Sequence, residues 1–480
     1  MSIDEFILLL AAGLVLGVGL YRLRVGLVVA LIFSLGGAAA YVALRATIMD
    51  VPQAVTTVMF LLAYGLIASE RLHKTTVALG GAVAMLVVGL VTQAEAFHGH
   101  GAIEGVDWNT IFLLIGMMII VNIMRHTGIF EYIAIKAAKL ARGEPVAIML
   151  LLSVVTALLS AALDNVTTVL LIAPVTILIA RSLKTDPVPF LIFVVLSSNI
   201  GGTATLIGDP PNIMIGSSAR IPFLAFLKIN GPVILATLAV YLATVRFIMG
   251  KRLRVTAEQR QVVMAFREDE AITNWSLLRR SGVVIGLTLV GFFLHGKLGL
   301  EPATIALAGA ALMMLMHREG PEEALREIEW PTIFFFIGLF IMVSALVKVG
   351  VVGMMGGSIL ALTRNNLTAM TLLVLWFSAL ASGLVDNIPF VATTMHPEAT
   401  DFFAAAHAPD IWPLWWALSL GACLGGNLTL VGASANVVVA GISGRAGYPI
   451  SFARFMKYGV PITIQGLLLS SVWLWFLFLR

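Results

Sequence analysis

The sequence predicts an all-α polytopic membrane protein with an inverted-topology repeat, two opposed re-entrant hairpins and two unwound transmembrane helices. Three observations predict this fold class. Hydrophobic residues make up 59% of the 480 residues and charged residues only 12%, whereas soluble proteins carry about 25% charged residues. Apolar runs of about 18 or more residues recur along the chain, more than a soluble core absorbs. Segments in the two halves of the chain also resemble each other.

About twelve segments are long and apolar enough to cross a bilayer. The first follows an acidic flank without a cleavage signal, so we interpret it as a retained helix and not as a signal peptide. The predicted crossings are 5–20, 25–44, 53–69, 75–93, 109–126, 188–216, 222–249, 280–297, 300–316, 331–348, 412–443 and 459–478. Two more apolar stretches, 145–181 and 368–404, each contain an Asp-Asn break, and we interpret each as a hairpin that returns to the side it entered from.

The distribution of basic residues predicts the orientation, because Lys and Arg stay preferentially on the cytoplasmic side. With the N-terminus outside, the inside segments hold 23 of the 30 basic residues. We therefore expect a multi-pass protein of the inner (plasma) membrane with both termini on the periplasmic side. Residues 130–143 are predicted to form an amphipathic basic helix at the cytoplasmic interface.

The internal repeat begins with VDWNTIFLLIGMMIIVNIMRHTGIF (106–130), which matches IEWPTIFFFIGLFIMVSALVKVGVV (328–352) at 9 of 25 positions, Gly116 and Gly338 included. The same spacing pairs the two Asp-Asn breaks. After two residues of slippage, GGTATLIGDPPN aligns with GGNLTLVGASAN. The copies cross the predicted membrane in opposite directions, which is typical of secondary transporters.

The repeat predicts a division of the chain into segments. These are scaffold helices (1–104), transport core repeat 1 (105–221, with hairpin 145–181 and broken helix 188–216), a connecting helix (222–249), a cytoplasmic linker (250–278), further scaffold helices (279–327), transport core repeat 2 (328–443, with hairpin 368–404 and broken helix 412–443) and a C-terminal helix segment (444–480).

The two aligned segments of the repeat, 201–212 and 425–436, predict breaks in membrane helices. A helix interrupted in hydrocarbon survives only where it lines a polar cavity or is covered by protein. Matching breaks in two halves are typical of a substrate site near the midplane. Close helix packing is the alternative explanation for the glycines. The predicted substrate-binding residues are Asn165, Asn387, Asn199, Gly201, Gly202, Thr203, Thr205, Asn212, Gly425, Gly426, Asn427, Thr429 and Asn436.

Three acids are candidates for proton coupling. Asp164 and Asp386 lie at the hairpin tips, where a carboxyl group removed from water holds its proton more tightly. A helix-capping role is the alternative for both, and it can coexist with transport. Asp209 lies in the first break, where the second break has Ala433, and is either a further proton site or a turn residue.

Other chemistry is limited. Cys423, the single cysteine, forms no intramolecular disulfide and is more simply a packing residue than a metalloid ligand. His396 is either a packing residue or a proton relay. No P-loop or zinc-protease motif occurs, so we expect neither an enzyme nor a bound cofactor or metal, and transport would be driven by a gradient or by a separate soluble ATPase subunit. The basic residues lie in membrane-flanking loops, so we expect no nucleic-acid partner.

Several motifs together resemble the ion transporter superfamily, in particular the branch of the arsenite/antimonite efflux permeases (ArsB-type) and P proteins, related to sodium/proton antiporters of the NhaD type. They are ERLHKTTVALGGA (70–82), VDWNTIFLLIGMMIIV (106–121), TALLSAALDNVTTVLLIAPVTI (156–177), GDPPN (208–212) and VDNIPFVATTM (385–395). The resemblance implies a scaffold domain and a transport domain with opposed hairpins that moves like an elevator, in a homodimer or a monomer.

Dicarboxylate relatives in that superfamily carry Ser-Asn-Thr at the hairpin tips, whereas this chain carries Asp-Asn-Val and Asp-Asn-Ile. A carboxylate in place of each hydroxyl argues against an anionic cargo and favours proton coupling. The resemblance implies proton-coupled efflux of arsenite or antimonite, with a sodium/proton antiporter as the alternative. A dicarboxylate transporter and a non-transporting receptor rank below these two.

Overall fold

The computed structural model describes residues 37, 39–41, 49–68, 72–98, 105–250, 253, 255–317, 320–354, 362–364, 366–384, 387–394 and 412–479. Within these ranges every regular element is a helix, and eight helices are long and apolar enough to cross a membrane, which confirms the predicted all-α membrane class. The predicted crossing 5–20 lies outside the described residues, as does most of 25–44.

The described helices, in chain order, are α1 (Val51–Ala68), α2 (Lys74–Val87), α3 (Gln93–His98), α4 (Trp108–Arg125), α5 (Ile129–Leu140), α6 (Pro145–Ala162), α7 (Asn165–Ser182), α8 (Pro187–Gly202), α9 (Pro210–Ser218), α10 (Phe223–Met249), α11 (Ala257–Met264), a 3-10 turn (Glu268–Ala271), α12 (Trp275–Leu298), α13 (Pro302–His317), α14 (Pro321–Arg326), α15 (Trp330–Lys348), α16 (Leu367–Leu384), α17 (Asn387–Thr394), α18 (Trp412–Gly425), α19 (Ser434–Arg445) and α20 (Phe452–Phe478).

One compact unit contains α1, α2, α3 and α15. Helix α15 packs closely along α2, because a Cβ on Gly338 would lie only 2.7 Å from the carbonyl carbon of Ala78. At the end of α15, Lys348 pairs with Glu95 at 2.7 Å. Burial raises the pKa of Glu95, but hydrogen bonds from Lys348 and Thr92 outweigh it and lower the pKa to about 2.

The second unit contains the other described helices, except the last residues of α17. Here α4 packs along α13, and a Cβ on Gly116 would lie 2.7 Å from the carbonyl carbon of Ala306. Gly116 and Gly338 occupy the same position of the repeat. Each therefore brings its long helix against a helix from the other half of the sequence.

Both predicted helix breaks are present within the second unit. The first separates the end of α8 at Gly202 from the start of α9 at Pro210, and the second separates the end of α18 at Gly425 from the start of α19 at Ser434. Proline fits the first turn of α9 because the N–H it lacks has no helical partner there. The apolar stretch 145–181 forms the helix pair α6 and α7, which meet at Leu163 and Asp164.

The segment between α10 and α12 packs against the amphipathic helix α5. Lys139 of α5 forms an ion pair with Glu268 and donates a hydrogen bond to the carbonyl of Phe266 at 3.2 Å. The hydrogen bond from Lys139 lowers the pKa of the Glu268 carboxyl group. These contacts hold the charged linker against the end of the helical bundle.

Candidate functional site

The tip of the first hairpin is shaped by Asp164, which caps α7. Its Oδ1 accepts a hydrogen bond from the Thr167 backbone N–H at 2.8 Å, and its Oδ2 accepts one from the Thr167 hydroxyl at 2.5 Å. The residue is only 9% exposed. The capping alternative raised by the sequence is therefore realised for Asp164.

The first break is held together by the side chain of Asn212. Its Nδ2 donates to the carbonyls of Thr205 at 2.9 Å and Thr203 at 3.2 Å. The Thr205 hydroxyl donates to the carbonyl of Ala161 at 2.6 Å and so ties the break to the hairpin helix α6. Backbone groups freed from helical pairing thus receive side-chain partners, as burial in a membrane demands.

The second break repeats this construction. Asn436 Nδ2 donates to the carbonyls of Thr429 at 2.9 Å and Gly426 at 2.7 Å. The Thr429 hydroxyl donates to the carbonyl of Gly383 in α16 at 2.6 Å. The bonds from Asn212 and Asn436 to the aligned threonines, and from those threonines to the hairpin helices, are therefore the same in both repeats.

The glycines beside the breaks allow backbone to approach backbone. A Cβ on Gly201 would overlap the carbonyl oxygen of Ala157, and one on Gly425 would lie 2.5 Å from Cα of Ala379. A Cβ on Gly426 would lie 3.1 Å from the Ala433 side chain. These contacts explain the glycines by packing alone, and a direct role in solute binding stays a prediction.

Four buried asparagines, Asn165, Asn199, Asn427 and Asn436, form a cluster within the second unit. Asn199 accepts a hydrogen bond from Asn165 Nδ2 at 3.1 Å and donates to Asn427 Oδ1 at 2.9 Å and Asn436 Oδ1 at 3.0 Å. Asn427 donates in turn to the carbonyl of Leu196 at 3.1 Å. The cluster connects the first hairpin, the end of α8 and the second break through side-chain amides.

A second cluster surrounds Asp209. The Asn387 amide donates to both Asp209 oxygens, at 3.3 and 3.4 Å, and the Cys423 thiol lies close to the same carboxylate. Asn212 Oδ1 accepts hydrogen bonds from Ser419 Oγ at 2.6 Å and from Cys423 Sγ at 3.4 Å. Asp209 is fully buried. It lies against Asn387, the first residue of α17, and not in a solvated turn.

The two clusters are related by the repeat, with one exchange of chemistry. Asn199 and Cys423 each stand two residues before a Gly-Gly pair. Each donates to the asparagine that follows the other break, Asn199 to Asn436 and Cys423 to Asn212. Asp209 has no counterpart, because the aligned residue is Ala433. Asp209 therefore makes the two halves of the pseudo-symmetric site chemically different.

Two further residues belong to the second cluster and were not predicted. Asn230 of α10 donates to Ser419 Oγ at 2.8 Å and to the carbonyl of Thr203 at 3.1 Å. Asn230 is the one asparagine in the apolar stretch 222–249, and an isolated polar residue in a membrane helix is costly unless it is used. That signal would have identified Asn230. Nothing in the sequence distinguishes Ser419.

Three buried oxygens of the first hairpin have no hydrogen-bond partner: Ser160 Oγ, Asn165 Oδ1 and Thr168 Oγ1. The side chains that form the two clusters include no Lys or Arg. Within the described ranges no group of three or more His, Cys, Asp or Glu is placed to hold a metal. The site thus offers amides, hydroxyls, one thiol and carboxylates.

Two residues singled out in the sequence, Asp386 and His396, lie outside the described residues. The remaining predicted residues are all buried in the second unit: Asn165, Asn199, Gly201, Gly202, Thr203, Thr205, Asp209, Asn212, Asn387, Gly425, Gly426, Asn427, Thr429 and Asn436.

Comparisons with known proteins agree with this architecture. The family model for citrate transporters (CitMHS) matches residues 64–421. An uncharacterized transporter of Mycobacterium bovis is 46% identical over 422 residues, which cover 88% of this chain and 97% of that protein. The human P protein is 34% identical over 482 aligned positions, which cover 84% of this chain but 57% of the P protein.

A solved structure is also similar. The crystal structure of the Alcanivorax borkumensis YdaH transporter, described as having an unusual topology, superposes with a TM-score of 0.53 and 13% identity, over 89% of this chain and 98% of that one. At this identity the similarity concerns the fold alone.

Proposed function

The chain belongs to the citrate transporter family and is a multi-pass membrane transporter, and on that premise we propose that it exports arsenite and antimonite in exchange for protons. The observation that carries the proposal is the composition of the two clusters: buried amides and hydroxyls, a buried carboxylate at Asp209, and no Lys or Arg. Arsenite and antimonite are uncharged trihydroxides at neutral pH, and amide and hydroxyl groups match their hydrogen bonds.

The same composition disfavours citrate carried as a bare anion. A tricarboxylate in a buried site needs cationic partners, since an unpaired buried charge is strongly destabilising. The clusters instead contain carboxylate and oxygen acceptors. Membership of the citrate transporter family therefore does not by itself establish citrate as the substrate of this chain.

In the proposed cycle, protons from outside bind Asp209 together with Asp164 or Asp386, and solute from the cytoplasm binds between the hairpin tips and the breaks. Protonation of Asp209 removes its charge and changes the hydrogen bonds it can accept from Asn387. The exchange of proton for solute gives the alternating exposure that a secondary transporter requires. A location in the inner (plasma) membrane with both termini outside, a homodimeric or monomeric state and an optional soluble ATPase subunit belong to the same proposal.

One observation favours a second candidate, a sodium/proton antiporter. Oxygen atoms are the ligands that hard cations prefer, and Ser160, Asn165 and Thr168 each have a buried oxygen without a partner on the same hairpin. Asp164 stands at the tip of that hairpin and would supply the exchangeable proton.

Both candidates are tested in one experiment. The chain is expressed in cells that lack arsenite efflux, and survival and arsenite accumulation are measured beside sodium-stimulated proton flux in inverted vesicles. The proposal predicts arsenite resistance and lower accumulation, both lost in Asp209→Asn at equal protein level. Robust sodium flux without arsenite protection would establish the second candidate in its place.

A further inference from the structure

A cavity of about 340 Å³ lies within the second unit, apart from the two clusters. Its walls come from the first turns of α4, from α9, and from the loops that join α9 to α10 and α12 to α13. The predicted topology places all of these chain ends on the outer side of the membrane. The cavity is large enough for a small hydrated solute, because a water molecule occupies about 30 Å³ of liquid.

The rim of the cavity is polar. Arg220 and Glu301 are exposed there, and Asn109 donates a hydrogen bond to Glu301 Oε2 at 3.0 Å. The ring of His295 is fixed in the wall, since Nε2 accepts the Phe223 N–H at 3.1 Å and Nδ1 donates to the carbonyl of Leu300 at 3.1 Å. The rim is therefore wettable and its shape is held by hydrogen bonds.

Two apolar residues of the cavity lining, one from the first break and one from α9, are called its floor here. Leu206 and Ile213, 1% and 3% exposed, form it. Their chain neighbours Thr205 and Asn212 are joined by the hydrogen bond from Asn212 Nδ2 to the Thr205 carbonyl, and Asn212 also accepts the bond from Cys423. The floor residues are thus chain neighbours of residues that hold the first break and, at Asn212, of the second cluster.

Leu206 has room to form this floor only because residue 216 is glycine. A Cβ on Gly216 would overlap Leu206 Cδ1. The second break does not repeat the arrangement, since the positions aligned with Leu206 and Gly216 are Leu430 and Ala440, and Leu430 is only half-buried. The floor is therefore a feature of one repeat and of one side of the site.

We propose that the cavity is the outer vestibule of the transport pathway and that Leu206, packed on Gly216, is the gate between the vestibule and the solute site. The inference rests on the proposed function in one respect only, namely that solute is held at the paired breaks. It names the route by which that solute leaves, and it holds for either cargo.

The single cysteine of the chain is a natural reporter for this gate, because Cys423 is fully buried next to Asn212. A membrane-impermeant, positively charged methanethiosulfonate reagent is added to intact cells and, separately, to inverted vesicles. We expect Leu206→Ala to raise the rate of Cys423 labelling from the outer face by about tenfold or more, since a buried thiol reacts only through an opening. The matched variant Leu430→Ala, made at the aligned position, is expected to leave outer-face labelling at the wild-type rate.

Three outcomes would overturn the proposal. They are unchanged outer-face labelling of a Leu206→Ala protein that is expressed and monodisperse, equal labelling of that protein from both faces, and an equal effect of Leu430→Ala. Labelling requires no cargo, so a failure of arsenite transport leaves this result standing and a failure of labelling leaves the transport result standing.

If Leu206→Ala does not fold, Ser217→Cys on a Cys423→Ser background gives a second test, because Ser217 is a half-buried residue of the cavity wall. The proposal predicts labelling from the outer face by a membrane-impermeant maleimide, which does not occur in the cysteine-free parent. Absence of outer-face labelling in this variant would contradict an outer vestibule.

Discussion

Asn199→Ala is the substitution that most directly tests the asparagine cluster. It removes one acceptor and two donor contacts, to Asn165, Asn427 and Asn436. Side-chain hydrogen bonds in membrane proteins average about 0.6 kcal/mol, so three sum to about 2 kcal/mol. The amides left without partners raise the expected loss toward about 3 kcal/mol.

The assay is the apparent melting temperature of the detergent-purified protein, followed by transport in the same preparation. We expect a decrease of about 2–5 °C together with a loss of solute flux. Asn199→Cys introduces the residue type that the other repeat has at the aligned position, Cys423. It should keep one hydrogen-bond donor to Asn436 and therefore lose less stability than Asn199→Ala. Asn109→Ala removes the hydrogen bond to Glu301 at a partly exposed position and should change stability by less than about 0.5 kcal/mol. An Asn199→Ala protein with wild-type stability and flux would refute a role for the cluster.

Three further substitutions follow from the contacts described above. Asp209→Asn should abolish the dependence of solute flux on a pH gradient while leaving the protein folded, because it keeps the size of the side chain and removes the titrating group. Flux that still follows the pH gradient would exclude Asp209 as the proton carrier. Gly201→Ala should sharply reduce the yield of folded protein, since its Cβ would overlap backbone, whereas Gly282→Ala, where nothing lies within 4 Å, should be neutral in a size-exclusion assay. Glu95→Gln should cost less than about 1 kcal/mol at neutral pH. The hydrogen bonds from Lys348 and Thr92 lower the Glu95 pKa from the usual range to about 2. The stabilisation by Glu95 is therefore present above the unfolded-state pKa and disappears as the pH falls through about 2. An advantage of the wild type over Glu95→Gln in thermal stability that grew on acidification would contradict this.

Much of the local structure could be predicted because it follows from backbone chemistry. Asp-Pro-Pro interrupts helical pairing because proline lacks the N–H donor, so the break between Gly202 and Pro210 follows from its residues. Gly-Gly alone does not, since Gly80-Gly81 lies inside α2. The duplication then located the second break. Asn212 and Asn436 were identified as polar residues beside the breaks, and both donate to break carbonyls.

The sequence did not determine which residues contact each other when they are far apart in the chain. Alignment paired Gly116 with Gly338 but did not show that each packs against a helix from the other half of the chain, since close approach needs a small residue and not a particular partner. The sequence leaves Asp209 as either a turn residue or a proton site, and it does not show that Asp209 is buried beside Asn387. Nothing in the neighbouring sequence marks Ser419 as a site residue, because a serine in a membrane helix usually donates its hydroxyl to a backbone carbonyl of the same helix.

In the proposed mechanism, solute leaves as protons enter through a site that contains Asp209. The direct measurement uses proteoliposomes that contain the purified chain and a pH-sensitive dye, with arsenite loaded inside. We predict that the lumen acidifies when arsenite is present and that Asp209→Asn abolishes this acidification. A lumen pH that is unaffected by arsenite or antimonite, in vesicles where a sodium gradient does move protons, would contradict the account.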